Sequence, residues 1–411
     1  MAFHSQTTNA HSHASISLLL EAINRISLHL EFHRIPLRIL IYNEMKKTIV
    51  FVIVIMLSLL LDSCNKDERY NQYADATIIT LHKWYNTETG LYETTSWWNA
   101  ANALTAIIDY SRITGSKKYL DVIDNSFEIC KEFEVQMPNP EDNWICRNYI
   151  NDYYDDEGWW ILAWIEAYEL TKDDKYLKMA RITFADMATG WDGVCGGGVY
   201  WKKPNIGKSA VQNELFMLAA IRLHQRGGGE TLGKSYLEWA EDTMEWFMNS
   251  GMLNEKYLVE NGLNKQCEVS VGSFHTYNQG MILSALVELY IEKQDESLLE
   301  LAHKIAHATI TNLVYENGIL KDPKEPNLNG DATQFKGIFM RHLGFLYAVS
   351  PREEYKIFIL KNADSIWSVA RDQTNNEIGS VWNAHPQKTD ASSQSSALDA
   401  LNAAMIVSSG N

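Results

Sequence analysis

Twelve helical stretches alternate in character along residues 70–407, and this alternation restricts the fold more than any single motif does. Six of them, 97–111, 159–171, 209–225, 277–292, 335–349 and 392–407, are apolar on most faces. The six interleaved with them, 70–84, 119–133, 175–188, 236–248, 298–313 and 355–370, are amphipathic. A helix apolar all round must be buried on every side, whereas an amphipathic one keeps a face in water. Alternating the two types builds an inner ring and an outer ring. Six such pairs closing on themselves make an all-α fold, an (α/α)6 barrel; an open solenoid of helix pairs is the alternative. The spacing repeats loosely: Thr114 precedes Lys118-Tyr119-Leu120, and Thr171 precedes Lys175-Tyr176-Leu177, an offset of 57.

The longer loops, 86–96, 136–152, 190–208, 254–274, 315–330 and 373–389, all precede an expected inner helix. Loops gathered at one end of a barrel are where a site is built. Of the 411 residues, 46% are hydrophobic and 21% charged, with 23 Gly and 8 Pro, which excludes disordered, collagen-like and low-complexity chains. A formal charge of −16 argues against a nucleic-acid backbone or an anionic membrane surface as partner. The 13 Trp and 20 Tyr build cores or stack on the apolar faces of sugars, and composition does not separate those uses.

The first 63 residues read as targeting rather than fold. Met45-Lys46-Lys47 leads into an apolar run, 49–61, broken only by Ser58. Thirteen residues are too short for a spanning helix, which needs about 20, and the pattern is that of a signal peptide. Residues 1–44 then read as an over-extended gene start and 45–63 as the signal peptide. The run ends Leu61-Asp62-Ser63-Cys64, which resembles a bacterial lipobox with Asp62 as a departure, so lipidation at Cys64 is expected. Residues 64–69 form a linker, and Lys66-Asp67-Glu68 resembles the export signal of some Gram-negative surface lipoproteins. Barrel and site fall in 70–411, and an outer-membrane location follows. Cys130, Cys146, Cys195 and Cys267 fit no zinc spacing, and export permits a disulfide without demanding one. Cys130 reads as a small core residue.

Chemistry concentrates before the second inner helix, in Asn151-Asp152-Tyr153-Tyr154-Asp155-Asp156-Glu157-Gly158-Trp159-Trp160. Carboxylates favour the positive end of a helix, which accounts for one or two of the acids. Three in succession beside two Trp is more than capping requires, because desolvation and mutual repulsion raise at least one pKa. Glycosidases use two carboxyls, about 5–5.5 Å apart in retaining enzymes and about 6.5–9.5 Å in inverting ones. Adjacent Asp residues favour the retaining arrangement.

The segment Tyr154-Asp155-Asp156-Glu157-Gly158-Trp159-Trp160 resembles the signature of glycoside hydrolase family 76, the endo-α-1,6-mannanases. Gly196-Gly197-Gly198-Val199-Tyr200-Trp201-Lys202 running into Asn213-Glu214-Leu215-Phe216 resembles a second block of that family. Gln334-Phe335-Lys336-Gly337-Ile338-Phe339-Met340-Arg341 resembles a third, and Trp97-Trp98-Asn99-Ala100 its first inner-helix block. The resemblance covers essentially all of 70–410 in consistent order. It implies an (α/α)6 barrel, retaining hydrolysis of α-1,6-mannan backbones, Asp155 as nucleophile and Asp156 as general acid/base. A non-catalytic glycan-binding surface lipoprotein and a transglycosylase on the same scaffold remain as alternatives.

Further candidates sit at loop–inner-helix junctions: Trp98, Asn99, Asn151, Asp152, Tyr200, Trp201, Asn213, Tyr277 and Asn278. They are of types that stack on or hydrogen-bond to sugars, and each reads equally well as a core or capping residue. Lys336 lies on an apolar face and should reach the cleft or pair with an acid, since a lone buried Lys is costly. His303 and His307 have an i, i+4 metal spacing but lie on an outer helix without a metalloprotease Glu, so no metal and no cofactor is expected. The glycine run 196–198 is expected to let backbone approach a ligand, and 227–229 to form a turn. The expected partner is an α-mannan polysaccharide or oligosaccharide, with the membrane reached only through the lipid anchor and the chain acting as a monomer.

Overall fold

The computed structural model describes residues 68–135 and 144–409. The expected gene-start extension, signal peptide, Cys64 and most of the linker lie outside the described residues.

Among the described residues are twelve α-helices. The inner ones are α2 (Trp97–Thr114), α4 (Tyr154–Thr171), α6 (Ala210–Gln225), α8 (Thr276–Lys293), α10 (Phe335–Val349) and α12 (Ala391–Ser408). The outer ones are α1 (68–81), α3 (Leu120–Ile129), α5 (Asp174–Met187), α7 (Tyr236–Asn249), α9 (Glu296–Asn312) and α11 (Glu353–Ser368). Each inner helix packs against the next, and α12 packs back on α2, so the inner ring closes and the open solenoid is excluded. Outer helices lie against the inner ones, as α5 does on α4, α7 on α6 and α9 on α8.

Close crossings make the ring tight. A Cβ at Gly280 on α8 would lie 2.6 Å from Phe339 Cα on α10, so only glycine allows that approach. Outer helices begin with side-chain caps at Asp173, Ser235 and Asp295, the second of these in a capping box with Glu238. By contrast α2, α4, α6, α8 and α10 start without a side-chain cap, which leaves their first-turn amides facing the loops above them.

Two expectations needed correction. The stretch expected as helix 119–133 ends at Ile129, and Glu132–Val135 instead pairs antiparallel with Trp144–Arg147. The last inner helix is less apolar than expected: Ser392, Ser393, Gln394, Ser395, Ser396, Asp399 and Asn402 are buried on it. Several of these polar groups are met inside the protein, Ser395 Oγ donating to Gln334 Oε1 at 3.0 Å and Asn402 Nδ2 to the Ala106 carbonyl at 2.8 Å.

The long loops do gather at the N-terminal ends of the inner helices, while connections at the other end are as short as residues 172–173 and 294–295. Loops before α6 and α8 are joined twice, by pairing of Lys208–Ser209 with Gly262–Leu263 and by a Cys195–Cys267 disulfide that spans 72 residues. Cys130 is buried, and its thiol donates to the Thr89 carbonyl at 3.3 Å. No helix among the described residues is long and apolar enough to cross a membrane.

Candidate active site

At the loop end, a cleft of about 790 Å³ is lined by residues from the starts of four inner helices and from the loops beside them. Trp98, Asp155 and Tyr277 are each the second residue of an inner helix, so the same helical position delivers all three to the cleft. Asp156 follows Asp155 on α4 and lines the cleft with it. The next acid turns away: Glu157 is fully buried and accepts from Lys203 Nζ at 2.7 Å, which also reaches Asp186 Oδ2 at 2.5 Å. That third carboxylate therefore ties α4 to α5 and to the loop before α6.

The two cleft carboxyls have unequal surroundings. Trp201 Nε1 donates to Asp155 Oδ2 at 3.0 Å, and the amides of Asp155 and Asp156 at the start of α4 also favour its charged form. Its other oxygen, Oδ1, is buried with no hydrogen-bond partner among the described residues. Asn151 Nδ2 donates to Asp156 Oδ2 at 2.7 Å. Burial raises Asp155 to about 7 against the pull of those donors. Burial and then the charge of Asp155 push Asp156 well above the carboxylate range. Asp155 therefore loses its proton first, and Asp156 keeps its own beside that charge.

Aromatic rings form the walls. Trp98 stacks on Trp159 with centroids 5.5 Å apart, and Tyr277 lies against Phe335 at 4.0 Å. Trp98 Nε1 donates to Asp331 Oδ1 at 2.9 Å. The tryptophans thus divide between uses: Trp160, Trp164 and Trp382 are core, while Trp98, Trp159 and Trp201 face the cleft.

Of the residues expected from sequence, Asp155, Asp156, Trp98, Trp201 and Tyr277 come together, with Asn151 behind Asp156. Others serve the scaffold. Asn99 is buried and accepts from Ser96 Oγ at 2.5 Å. Asp152 is exposed outside the cleft lining, and its carbonyl accepts from Lys203 N. Tyr200 donates to Asp192 Oδ2 at 3.0 Å. Asn213 clamps the backbone of Val199 from both sides, and Asn278 donates to Asn261 Oδ1 at 3.3 Å. Lys336 follows the acid-pairing alternative: it is buried, 2.6 Å from Glu325 Oε1 and beneath the Trp382 ring.

Within the glycine run 196–198, none of which lines the cleft, Gly197 and Gly198 pack on tryptophan: a Cβ at Gly198 would lie 2.6 Å from the Trp246 ring. Residues 227–229 form the expected turn after α6. His303 bonds Tyr355 and Ser350, and His307 bonds Glu354, so the two rings serve α11 and the turn before it. The residue most clearly missed is Asp331. Its one signal is an acid three residues before the Gln334 block, just past the loop expected as 315–330.

A closed double ring of helices with a carboxyl pair in an aromatic cleft defines a carbohydrate-processing barrel. The chain belongs to glycosyl hydrolase family 76, whose family model matches residues 66–410. A mannan endo-1,6-alpha-mannosidase of Candida glabrata is 26% identical over 295 residues, 66% of this chain and 62% of that protein. One of Saccharomyces cerevisiae is 26% identical over 289 residues, with the same shares. The chain thus spans about 62% of the length of these curated relatives. Among solved structures, the alpha-1,6-mannanase of Salegentibacter sp. HEL1_6 superposes with TM-score 0.72 at 24% identity, over 82% of this chain and 99% of that one. That structure is of an inactive variant, with two consecutive aspartates replaced by alanine, in complex with alpha-1,6-mannotetrose. Dfg5 of Chaetomium thermophilum, in complex with glucosamine, superposes with TM-score 0.71 at 17% identity, over 82% of this chain and 90% of that one.

Proposed function

We propose that the protein is a retaining, endo-acting hydrolase of α-1,6-mannosidic bonds in mannan backbones, with Asp155 as nucleophile and Asp156 as general acid/base. The observation that carries this reading is the pair of adjacent cleft carboxyls whose surroundings push their pKa values apart. In the first step the Asp155 carboxylate attacks the anomeric carbon, the bond to the leaving oxygen breaks, and Asp156 gives that oxygen its proton. The resulting ester removes the charge beside Asp156, so its carboxylate becomes a better-matched base. In the second step Asp156 takes a proton from water, the water oxygen bonds the anomeric carbon, and the Asp155 carboxylate leaves. Trp98, Trp159, Tyr277 and Phe335 offer faces for sugar rings, and about 790 Å³ has room for more than one ring. Membership of the family, the named activity of the curated relatives, and the paired aspartates replaced in the inactive Salegentibacter variant all support the assignment.

The test is incubation with unbranched α-1,6-mannan, with products sized by chromatography and their first-formed anomer read by NMR. Short α-anomeric oligosaccharides are expected. Net inversion refutes the retaining mechanism, binding without cleavage favours the glycan-binding alternative, and products longer than the donor favour transglycosylation. With an activated leaving group and azide, Asp156→Asn should give an α-mannosyl azide and Asp155→Asn at most a β-azide; the reverse exchanges the two roles.

Export and anchoring through a lipidated Cys64 at the outer membrane are proposed with it, from the 45–64 pattern and the Cys195–Cys267 disulfide, which suits an oxidising compartment. Replacing Cys64 by Ala should release the protein from the membrane fraction, and retention there would defeat the anchor.

A further inference from the structure

The barrel end opposite the cleft holds a second cavity of about 310 Å³, lined by all six inner helices. Its wall is a chain of alternating charges. Asp399 on α12 pairs with Arg341 on α10 at 2.8 Å, and Arg341 reaches Asp109 on α2 at 3.7 Å. Asp109 and Glu166 on α4 share Arg112, at 2.5 and 2.8 Å. Glu166 then pairs with Arg222 on α6 at 2.5 Å, and Arg222 with Glu288 on α8 at 2.9 Å. The chain visits every inner helix but does not close on itself. The missing link is between α8 and α10, where Ser284 and His342 stand in place of an ion pair, and Asn402 lines the same cavity from α12.

Two polar atoms there lack a partner. His342 and Asn402 are 5% and 3% exposed, and His342 Nε2 and Asn402 Oδ1 are buried without a hydrogen bond among the described residues. His342 Nδ1 is already engaged by Ser284 Oγ at 2.6 Å. A buried polar atom left unsatisfied costs about 1–3 kcal/mol, so something with hydrogen-bonding groups belongs in this space.

We propose that the far cavity is a second carbohydrate site, which takes a single neutral hexose ring through hydroxyl contacts to His342 Nε2 and Asn402 Oδ1. The wall guanidiniums Arg112, Arg222, Arg226 and Arg341 already have carboxylate partners, so an ionic ligand would have to break existing pairs. A hydroxyl both donates and accepts, which suits the Asn402 oxygen and either tautomer of a neutral His342; burial holds that imidazole well below its ordinary pKa. Phe345 and Ile406, one turn beyond His342 and Asn402 on the same helices, and Ile113 add apolar lining for the C–H face of a sugar. The volume stands at the low end of ligand sites, room for one ring and not for a chain. Entry is past Ala348, which is exposed, and Arg112, whose side chain is 50% exposed.

The test uses the full chain and saturation-transfer NMR with D-mannose and myo-inositol. The Trp98→Ala variant, with its cleft wall removed, should still give the signal. Ala348→Trp, which plugs the rim, and Asn402→Leu, which removes the acceptor, should each weaken mannose binding at least tenfold in that background, with folding checked by thermal melting. Absence of any signal in Trp98→Ala means the cavity holds water only and overturns the proposal. A signal indifferent to both far-end variants, or displaced by inorganic phosphate, overturns it as well.

Discussion

Replacing Trp201 by Phe isolates one hydrogen bond at the reacting centre. The indole N–H is the only side-chain donor on Asp155 among the described residues, at 3.0 Å, and the other carboxylate oxygen has no partner. Phe keeps an aromatic ring against Tyr153, whose centroid lies 5.1 Å from that of Trp201, so packing is largely retained. A hydrogen bond to a charged group is worth about 1.5–3 kcal/mol, and 1.36 kcal/mol corresponds to one pKa unit. Because the N–H stabilises the carboxylate, its loss raises the Asp155 pKa from the value of about 7 set by burial. The acid limb of kcat/KM, which reports the free enzyme, should therefore move up by about one to two pH units. At pH 7 the ionised fraction, and kcat/KM with it, falls by roughly an order of magnitude, and most of the loss returns at higher pH. The assay is a pH–rate profile on an activated α-mannoside, run beside the wild type. An acid limb that stays in place or moves down refutes the argument. A pH-independent loss would make Trp201 a stacking surface and nothing more.

Three other outcomes follow from the same geometry. Asp331→Asn removes a negative charge that raises both Asp155 and Asp156, while its amide oxygen still accepts from Trp98, so both limbs of the pH profile should shift to lower pH. Glu166→Ala leaves Arg112 and Arg222 without their shared carboxylate and should cost about 3–5 kcal/mol, read as a fall in Tm. Burial pushes Glu166 up, but its arginines hold it down at about 2, so its stabilisation is present above the ordinary carboxylate range and disappears as pH falls through about 2. Replacing Cys195 and Cys267 by Ser should cost about 4 kcal/mol for a loop of this length, and reducing agent should lower the Tm of the wild type but not that of the double variant.

Much of this molecule is legible in one dimension because helix burial is periodic. The alternation of all-round apolar and amphipathic stretches dictates an inner and an outer ring, and the long loops before inner helices mark the end where a site forms. The acid pair stands out because three acids beside two tryptophans exceed what a helix start needs. Side-chain direction at the junctions is different in kind. Successive residues on a helix point about 100° apart, so Trp98 reaches the cleft while neighbouring Asn99 is buried against Ser96. Asn213 and Lys336 have the chemistry of sugar contacts, yet they satisfy loop backbone and Glu325, because each helix is rotated about its axis by packing that sequence does not encode locally, and Tyr200 is turned to Asp192 by the path of the loop before α6. Asp331 and Asp155 come together only when the ring closes, and the pairing of Cys195 with Cys267 depends on two loops meeting over α6 and α8. Residue order is enough to show helices of two burial types and a cluster of acids at one helix start, whereas closing them into a ring instead of an open solenoid takes the packing of α12 on α2. Tertiary structure decided which neighbours give the acid pair unequal proton affinities, because desolvation and the placement of donors are properties of the assembled cleft and not of any segment.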